Sequence, residues 1–301
     1  MKKFFLTVSF FIFLLITTSG QEDNLKDILM PGAQIEKLAG GFSFTEGPTA
    51  DKKGSVYFTD QPNDKIYIWN DKSSALSVFL EPASRSNGLA LDAEGNLWSC
   101  ADGNNELLRI APDKKVEIIA GNFNGKLFNG PNDVWISPSG GAYFSDPFFV
   151  RTWWKHSEMP QEKQRVYYLK PDHKSIIIVV DDLVQPNGIV GTPDGKTLYV
   201  ADIRGNKTWS YTINNDGTLS GKRLFCEMGS DGITIDTRGN LYLTGRGVTV
   251  FDKTGKKLGN IPVPESWTSN VCFGGKNKKT LYITASKGFY RIQLKVKGTN
   301  G

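Results

Sequence analysis

Through most of the chain, apolar and polar residues alternate by two in short runs, and Gly, Asn, Asp or Pro closes almost every run. Alternation by two puts successive side chains on opposite faces of a pleated strand, so the pattern predicts strands joined by tight turns. Six runs share one form: a turn, an aromatic–apolar alternation, then a small or acidic residue. They are residues 54–60 (Gly-Ser-Val-Tyr-Phe-Thr-Asp), 95–102, 141–146, 195–202, 239–245 and 279–285. Shortly before each lies a second recurring element, led in turn by Glu46, Asn87, Asn132, Asn187, Asp231 and Asn270, at intervals of 41, 45, 55, 44 and 39 residues. Helical repeats of this length would show apolar residues three and four apart. A period near forty with several strands per unit instead predicts an all-β fold, a six-bladed β-propeller.

Third strands are expected at residues 65–69, 106–110, 165–169, 208–213, 248–252 and 288–294. An early strand at residues 34–38 is expected to pair with the last blade, because an open ring would leave strand edges exposed. Six units fill the chain after its first segment, so residues 21–301 read as one propeller domain.

That first segment differs from the rest. Lys2 and Lys3 precede an almost unbroken apolar run over residues 4–16, and Thr17-Thr18-Ser19-Gly20 ends it. Basic start, short apolar run and small-residue end are the layout of a cleavable signal peptide, and the run is short for a bilayer span. Residues 1–20 are therefore set apart as a leader. The mature protein is expected in the periplasm or the medium, with no membrane association once the leader is removed.

Composition changes this picture little. The chain of 301 residues is 39% hydrophobic, 22% charged and 12% aromatic, and it carries 32 Gly, in keeping with many short strands and turns. The net charge is +5, falling to +3 without Lys2 and Lys3, and no basic tract is present, so a nucleic-acid partner is not expected. Cys100, Cys226 and Cys272 are widely spaced and sit in or beside apolar runs, which reads as buried small hydrophobes and not as a disulfide framework. Oligomeric state is left open by the sequence.

In a propeller the innermost strand of each blade lines the central channel, so residues at one repeat position share one level around the axis. Here that level carries Glu46, Asn87, Asn132, Asn187, Asp231 and Asn270, all with a side-chain oxygen. Asn or Asp before Gly is ordinarily a turn former. Glu46 is a poor turn residue in the same slot, however, and two carboxylates drawn together repel unless a cation lies between them. Two carboxylates with amide oxygens suit one hard divalent cation. Only His156 and His173 are present as imidazoles, neither in a lead slot.

Residues 128–133 (Phe-Asn-Gly-Pro-Asn-Asp), 186–189 (Pro-Asn-Gly-Ile), 230–233 (Ser-Asp-Gly-Ile), 270–275 and 279–284 occur in an order that resembles the gluconolactonase/regucalcin family of metal-dependent lactonases. The resemblance runs from about Phe44 to Ile292. It implies a metal held by Glu46, Asn187 and Asp231, with Asn132 adding a direct or water-mediated contact. The donor set makes Ca²⁺ the first choice of ion, with Mg²⁺, Mn²⁺ or Zn²⁺ as alternatives. The resemblance implies a small sugar lactone as substrate, with Asp231 the first candidate for catalytic base and Glu46 the second. Two departures touch the substrate. Some members have an Arg that contacts sugar hydroxyls where this chain has Gly130, and many have Glu-His where it has Ala101-Asp102.

A phosphotriesterase on the same metal site, or a non-catalytic propeller that binds a sugar or a protein, are the alternatives. Serine-hydrolase chemistry is disfavoured, since no Gly-x-Ser-x-Gly elbow occurs. The long interval between Asn132 and Asn187 holds extra material over residues 147–164. It is either a surface loop or a wall over the channel mouth, with Arg151, Trp153 and His156, beside Asn132, as substrate-binding candidates.

The leader can be checked directly. Protein recovered from the native host is expected to begin near Gln21, and a mass spectrum still containing residues 1–20 would exclude export by cleavage.

Overall fold

The computed structural model describes residues 24–299. The expected leader, residues 1–20, lies outside the described residues, and among these no helix is long and apolar enough to cross a membrane. Six four-stranded antiparallel sheets form the six blades of a β-propeller. In the first blade the order from channel to rim is Thr45–Ala50, Val56–Asp60, Lys65–Asn70 and Ala75–Leu80, and the next four blades repeat it.

The last blade is built from both ends of the chain. Its strands Thr268–Gly274, Thr280–Ala285 and Gly288–Gln293 are completed at the rim by Glu36–Gly40. The closing strand falls two residues later than the hydrophobic pattern alone places it. Its first pair is Glu36 with Arg291, whose guanidinium lies 2.8 Å from the Glu36 carboxylate and also reaches Asp71 of the first blade.

The second strands are among the most deeply buried elements, with Val56–Asp60, Leu97–Ala101 and Ala142–Asp146 almost wholly enclosed. These strands carry the aromatic–apolar run because they pack against neighbouring blades on both faces. Tyr143, for example, stacks on Tyr168 of its own blade with ring centroids 4.3 Å apart and donates its hydroxyl to the Gly217 carbonyl of the next blade at 2.9 Å. Cys100, Cys226 and Cys272 are buried and unpaired, in a second, an outermost and an inner strand respectively.

Inner strands differ from the others in one respect. At Glu46, Asn87, Asn187 and Asn270 the ladder to the second strand slips at a bulge. Asn132 and Asp231 instead precede inner strands cut to three residues, Val134–Ile136 and Ile233–Ile235. A bulge re-aims a side chain and ends regular pairing, so every lead residue sits where the ladder breaks.

The Gly that follows most lead residues serves contact between blades rather than a turn. A Cβ on Gly47 would lie 2.0 Å from the carbonyl oxygen of Asn87, and one on Gly88 would lie 2.4 Å from that of Asn132. Adjacent inner strands touch there backbone to backbone. Gly88→Ala is therefore expected to cost about 1–3 kcal/mol, the range for overpacking. Gly121→Ala, whose Cβ would meet only Ile118 at 3.6 Å, should stay within about 0.5 kcal/mol of the parent. Denaturant unfolding of the two variants checks this, and equal stabilities would refute the close-contact account.

Candidate metal and active site

Inner strands start, and second strands finish, at the same end of the propeller. A cavity of ≈ 230 Å³ opens there. Its floor is formed by Glu46, Asn87, Asn132 and Asp231, and its walls by Phe44, Gln61, Phe149, Arg151, Ile203 and Trp267. Four of the six lead residues thus face one space. Asn187 is fully buried beside them, and Asn270 is buried in the channel.

Each floor residue is held. The Glu46 carboxylate accepts the Gly47 N–H at 2.8 Å. Asp231 accepts from the Asn187 amide at 2.8 Å on one oxygen and from the Trp267 indole N–H at 2.6 Å on the other. Because the Asn187 amide nitrogen is committed to Asp231, its carbonyl oxygen is left over. That oxygen and the corresponding one of Asn87 are buried without a hydrogen-bond partner among the described residues. Buried acceptors are seldom left bare, and one that is calls for a donor or a cation.

Sequence patterning missed Asp133. It occupies the slot that is Gly in four other blades, and its buried carboxylate accepts from the backbone N–H of Val134 at 3.1 Å and of Ile189 at 3.4 Å. Trp267, just before the inner strand of the last blade, was also missed. An Asp in a glycine slot was the one available signal for the former, and nothing in the repeat marks the latter.

Electrostatics follow from burial. Desolvation, reinforced by Asp231 and Asp133, holds the Glu46 carboxyl well above the usual carboxylate range. Burial likewise pushes Asp133 up to about 7. For Asp231 burial outweighs the hydrogen bonds from Trp267 and Asn187, and its carboxyl is also raised. Three carboxyls crowded in a channel of low dielectric stay ionised only when compensating charge arrives. Among the described residues no three His, Cys, Asp or Glu side chains converge as a ready-made ligand set, so a cation here would need the amide oxygens as well. The two bare Asn oxygens answer that need, and the mixed carboxylate–amide donor set suits a hard ion.

The extra segment forms part of the cavity wall through Phe149 and Arg151. Trp153 and His156 do not line it. The guanidinium groups of Arg85 and Arg151 lie 4.9 and 5.6 Å from the centre of the Trp153 ring, and His156 stacks on Trp154 at 4.9 Å. The Trp154 ring fills the space over Gly130, 3.0 Å from where a Cβ would be.

Residues 44–287 match the family described as SMP-30/Gluconolactonase/LRE-like region. The chain belongs to this family. A gluconolactonase of Zymomonas mobilis is 29% identical over 307 aligned positions, covering 92% of this chain and 85% of the relative. A solved gluconolactonase structure from Xanthomonas campestris has a TM-score of 0.83 at 28% identity, over 90% of this chain and 92% of the other. A regucalcin from Oryctolagus cuniculus is 26% identical, over 79% of this chain and 81% of its own length. Family membership bears on the whole propeller, since the matched region reaches from the first inner strand to the last blade.

Protonation offers a test of the buried carboxyls. Their folded-state pKa values lie above those of the unfolded chain, near 4. The stability they contribute is thus fully present below about pH 4 and is lost as pH rises through about 7. In chelator, urea midpoints are expected to fall over that window, and to fall less for Asp133→Asn, which keeps shape but does not titrate. A wild-type midpoint that rose or stayed level across the window would contradict the assignment.

Proposed function

We propose that this protein is a metal-dependent hydrolase of sugar lactones, working in the cavity at the mouth of the propeller channel. The observation that carries the reading is the pairing of buried Glu46 and Asp231 with the unpartnered carbonyl oxygens of Asn187 and Asn87. Similarity to gluconolactonases supports the substrate class, and the cavity volume is below that of sites for drug-sized ligands, as a single sugar ring requires.

Glu46, Asn187 and Asp231 would hold the ion, with Asn132 beside it. Ca²⁺ is the first choice and Mg²⁺, Mn²⁺ or Zn²⁺ the alternatives. When bound, a divalent ion supplies fixed positive charge that polarises the lactone carbonyl and favours the oxyanion formed in hydrolysis. The remaining chemistry is assigned to the chain. Asp231 takes a proton from the attacking water as the water oxygen bonds to the carbonyl carbon. The ring C–O bond then breaks, and the proton passes from Asp231 to the departing alkoxide, leaving an open-chain acid. Trp267 and Asn187 fix the orientation of the Asp231 carboxylate, so its free lone pairs face the cavity. Asn132 and Arg151 are assigned to substrate hydroxyls, while Phe44, Phe149 and Ile203 shield the site from bulk water. Residues 1–20 are assigned as a cleaved leader, which would deliver this activity to the periplasm or medium.

At saturating metal, Asp231→Asn is expected to lower kcat by about 10²- to 10⁴-fold, the usual contribution of general-base catalysis. Asn187→Ala should weaken metal binding while costing less kcat. Glucono-δ-lactone hydrolysis, followed with and without chelator, is the measurement. Turnover indifferent to chelator would remove the metal from the mechanism. Cleavage of a phosphotriester without any lactone hydrolysis would replace the substrate class.

A further inference from the structure

The second strands of the first four blades end in, or are followed at once by, an Asp: Asp60, Asp146 and Asp202 are the last residues of theirs, and Asp102 directly follows Leu97–Ala101. Three of them do the same work. Asp60 accepts the backbone N–H groups of Ser43 and Phe44, Asp146 those of Asn129 and Gly130, and Asp202 those of Val184 and Gln185. Each thereby tethers the loop leading into its own blade's lead residue, two and three positions before it.

Asp102 does not. In the second blade the equivalent loop runs through left-handed Ser84 and Arg85, and its N–H groups at Ala83 and Arg85 are taken by Asp64 of the first blade. The Asp102 carboxylate is released from the tether, although it remains buried, with a side-chain exposure of 2%. Its oxygens turn to side chains instead. One accepts from Arg151 Nε at 2.7 Å and from Gln61 Nε2 at 2.8 Å, and the other from Trp153 Nε1 at 3.2 Å. Its carbonyl also receives the Trp154 indole.

Two of these donors, Arg151 and Gln61, line the cavity. With Nε anchored, the terminal nitrogens of Arg151 hydrogen-bond to no protein atom among the described residues. Their charge is felt at Asp231, whose carboxyl Arg151 acts to lower. A planar fork fixed at its stem, in a cavity also lined by the apolar Phe44, Ile203 and Trp267, suits adjacent hydroxyls of a neutral ring whose C–H groups meet those apolar side chains.

We infer that Asp102 is a positioning residue: it latches the third-blade insert across the second blade so that Arg151 selects lactones bearing vicinal ring hydroxyls. The inference rests on the lactonase reading for its substrate and goes beyond it in naming the selecting pair.

The test is a double-mutant cycle with Arg151→Met and Asp102→Ala. The readouts are the ratio of kcat/KM for glucono-δ-lactone over δ-valerolactone and the affinity for D-glucose, a ring that cannot be hydrolysed, by calorimetry. Arg151→Met is expected to lower the ratio by about 10- to 100-fold, the range for hydrogen bonds from a charged donor. Asp102→Ala should lower it as well, but add little in the Arg151→Met background, because Asp102 acts through Arg151. An unchanged ratio in Arg151→Met overturns the proposal, even where Asp102→Ala fails to fold. Independent, additive losses would make Asp102 merely structural and overturn it too. Should wild-type protein hydrolyse neither lactone, the lactonase reading fails alone if D-glucose binding still depends on Arg151, and both fail if it does not.

Discussion

The structure depends on how closely six inner strands can approach one axis. Around the channel each seam between blades is crossed by a hydrogen bond near the lead residue. Thr59 reaches the carbonyl of Asn87, the Gly88 N–H that of Asn132, and the Ile189 N–H the Asp133 carboxylate. Asn187 binds Asp231, Thr244 reaches the Ser269 carbonyl, and Ser269 closes the circle on that of Thr45. Such contacts need backbone within van der Waals distance of backbone, which is why Gly recurs beside the lead residues. They also answer a difficulty of the architecture. A ladder that breaks at a bulge leaves buried backbone groups unpaired, and in a propeller the next blade is the one neighbour able to pair them.

The same closeness shifts the acidity of the side chains in the channel. Lead side chains pointing inward at one level are forced within reach of one another and away from water. Amides tolerate this, because each can donate to one neighbour and accept from another. Carboxylates do not, so Glu46, Asp133 and Asp231 hold their protons more tightly than usual. A site that stores unfavourable negative charge is stable in isolation only through protonation. A bound cation and proton transfer are the two outlets for that charge, and the proposed mechanism uses both.

Much of this was legible in the sequence, and the reason is repetition. The six lead positions, the buried second strands and the closing strand each recur or pair at fixed offsets, so weak local signals added up. Outermost strands such as Ala75–Leu80 and Lys257–Ile261 were not marked, because a rim strand is half solvated and shows little alternation. Asp133 escaped because its importance lies in departing from the repeat, and Trp267 because a side chain on a connecting segment answers to no period. Arg151 was legible as a candidate, whereas Trp153 and His156, equally conspicuous in sequence, stand behind the wall. Aromatic character alone does not say which side of a loop meets the cavity.

Departures from the family pattern also make sense together. Where some relatives carry Arg, Gly130 has no side chain, and the vacated space holds the ring of Trp154. Trp154 belongs to the same insert as Arg151, and both are tied to Asp102, at the second departure. A side chain at residue 130 would strike Trp154 and lift the insert, while loss of the Asp102 carboxylate would leave Arg151 Nε without its anchor. The two changes are thus one physical arrangement: the Trp154 ring over Gly130 and the Asp102 carboxylate together seat the insert that brings the Arg151 guanidinium to the cavity wall. The invariable requirements of the ring stay in the blades. On the proposed reading, what meets the substrate is set by the insert that Asp102 anchors, a role open to Asp102 because Asp64 takes over the tether that Asp60, Asp146 and Asp202 provide in their own blades.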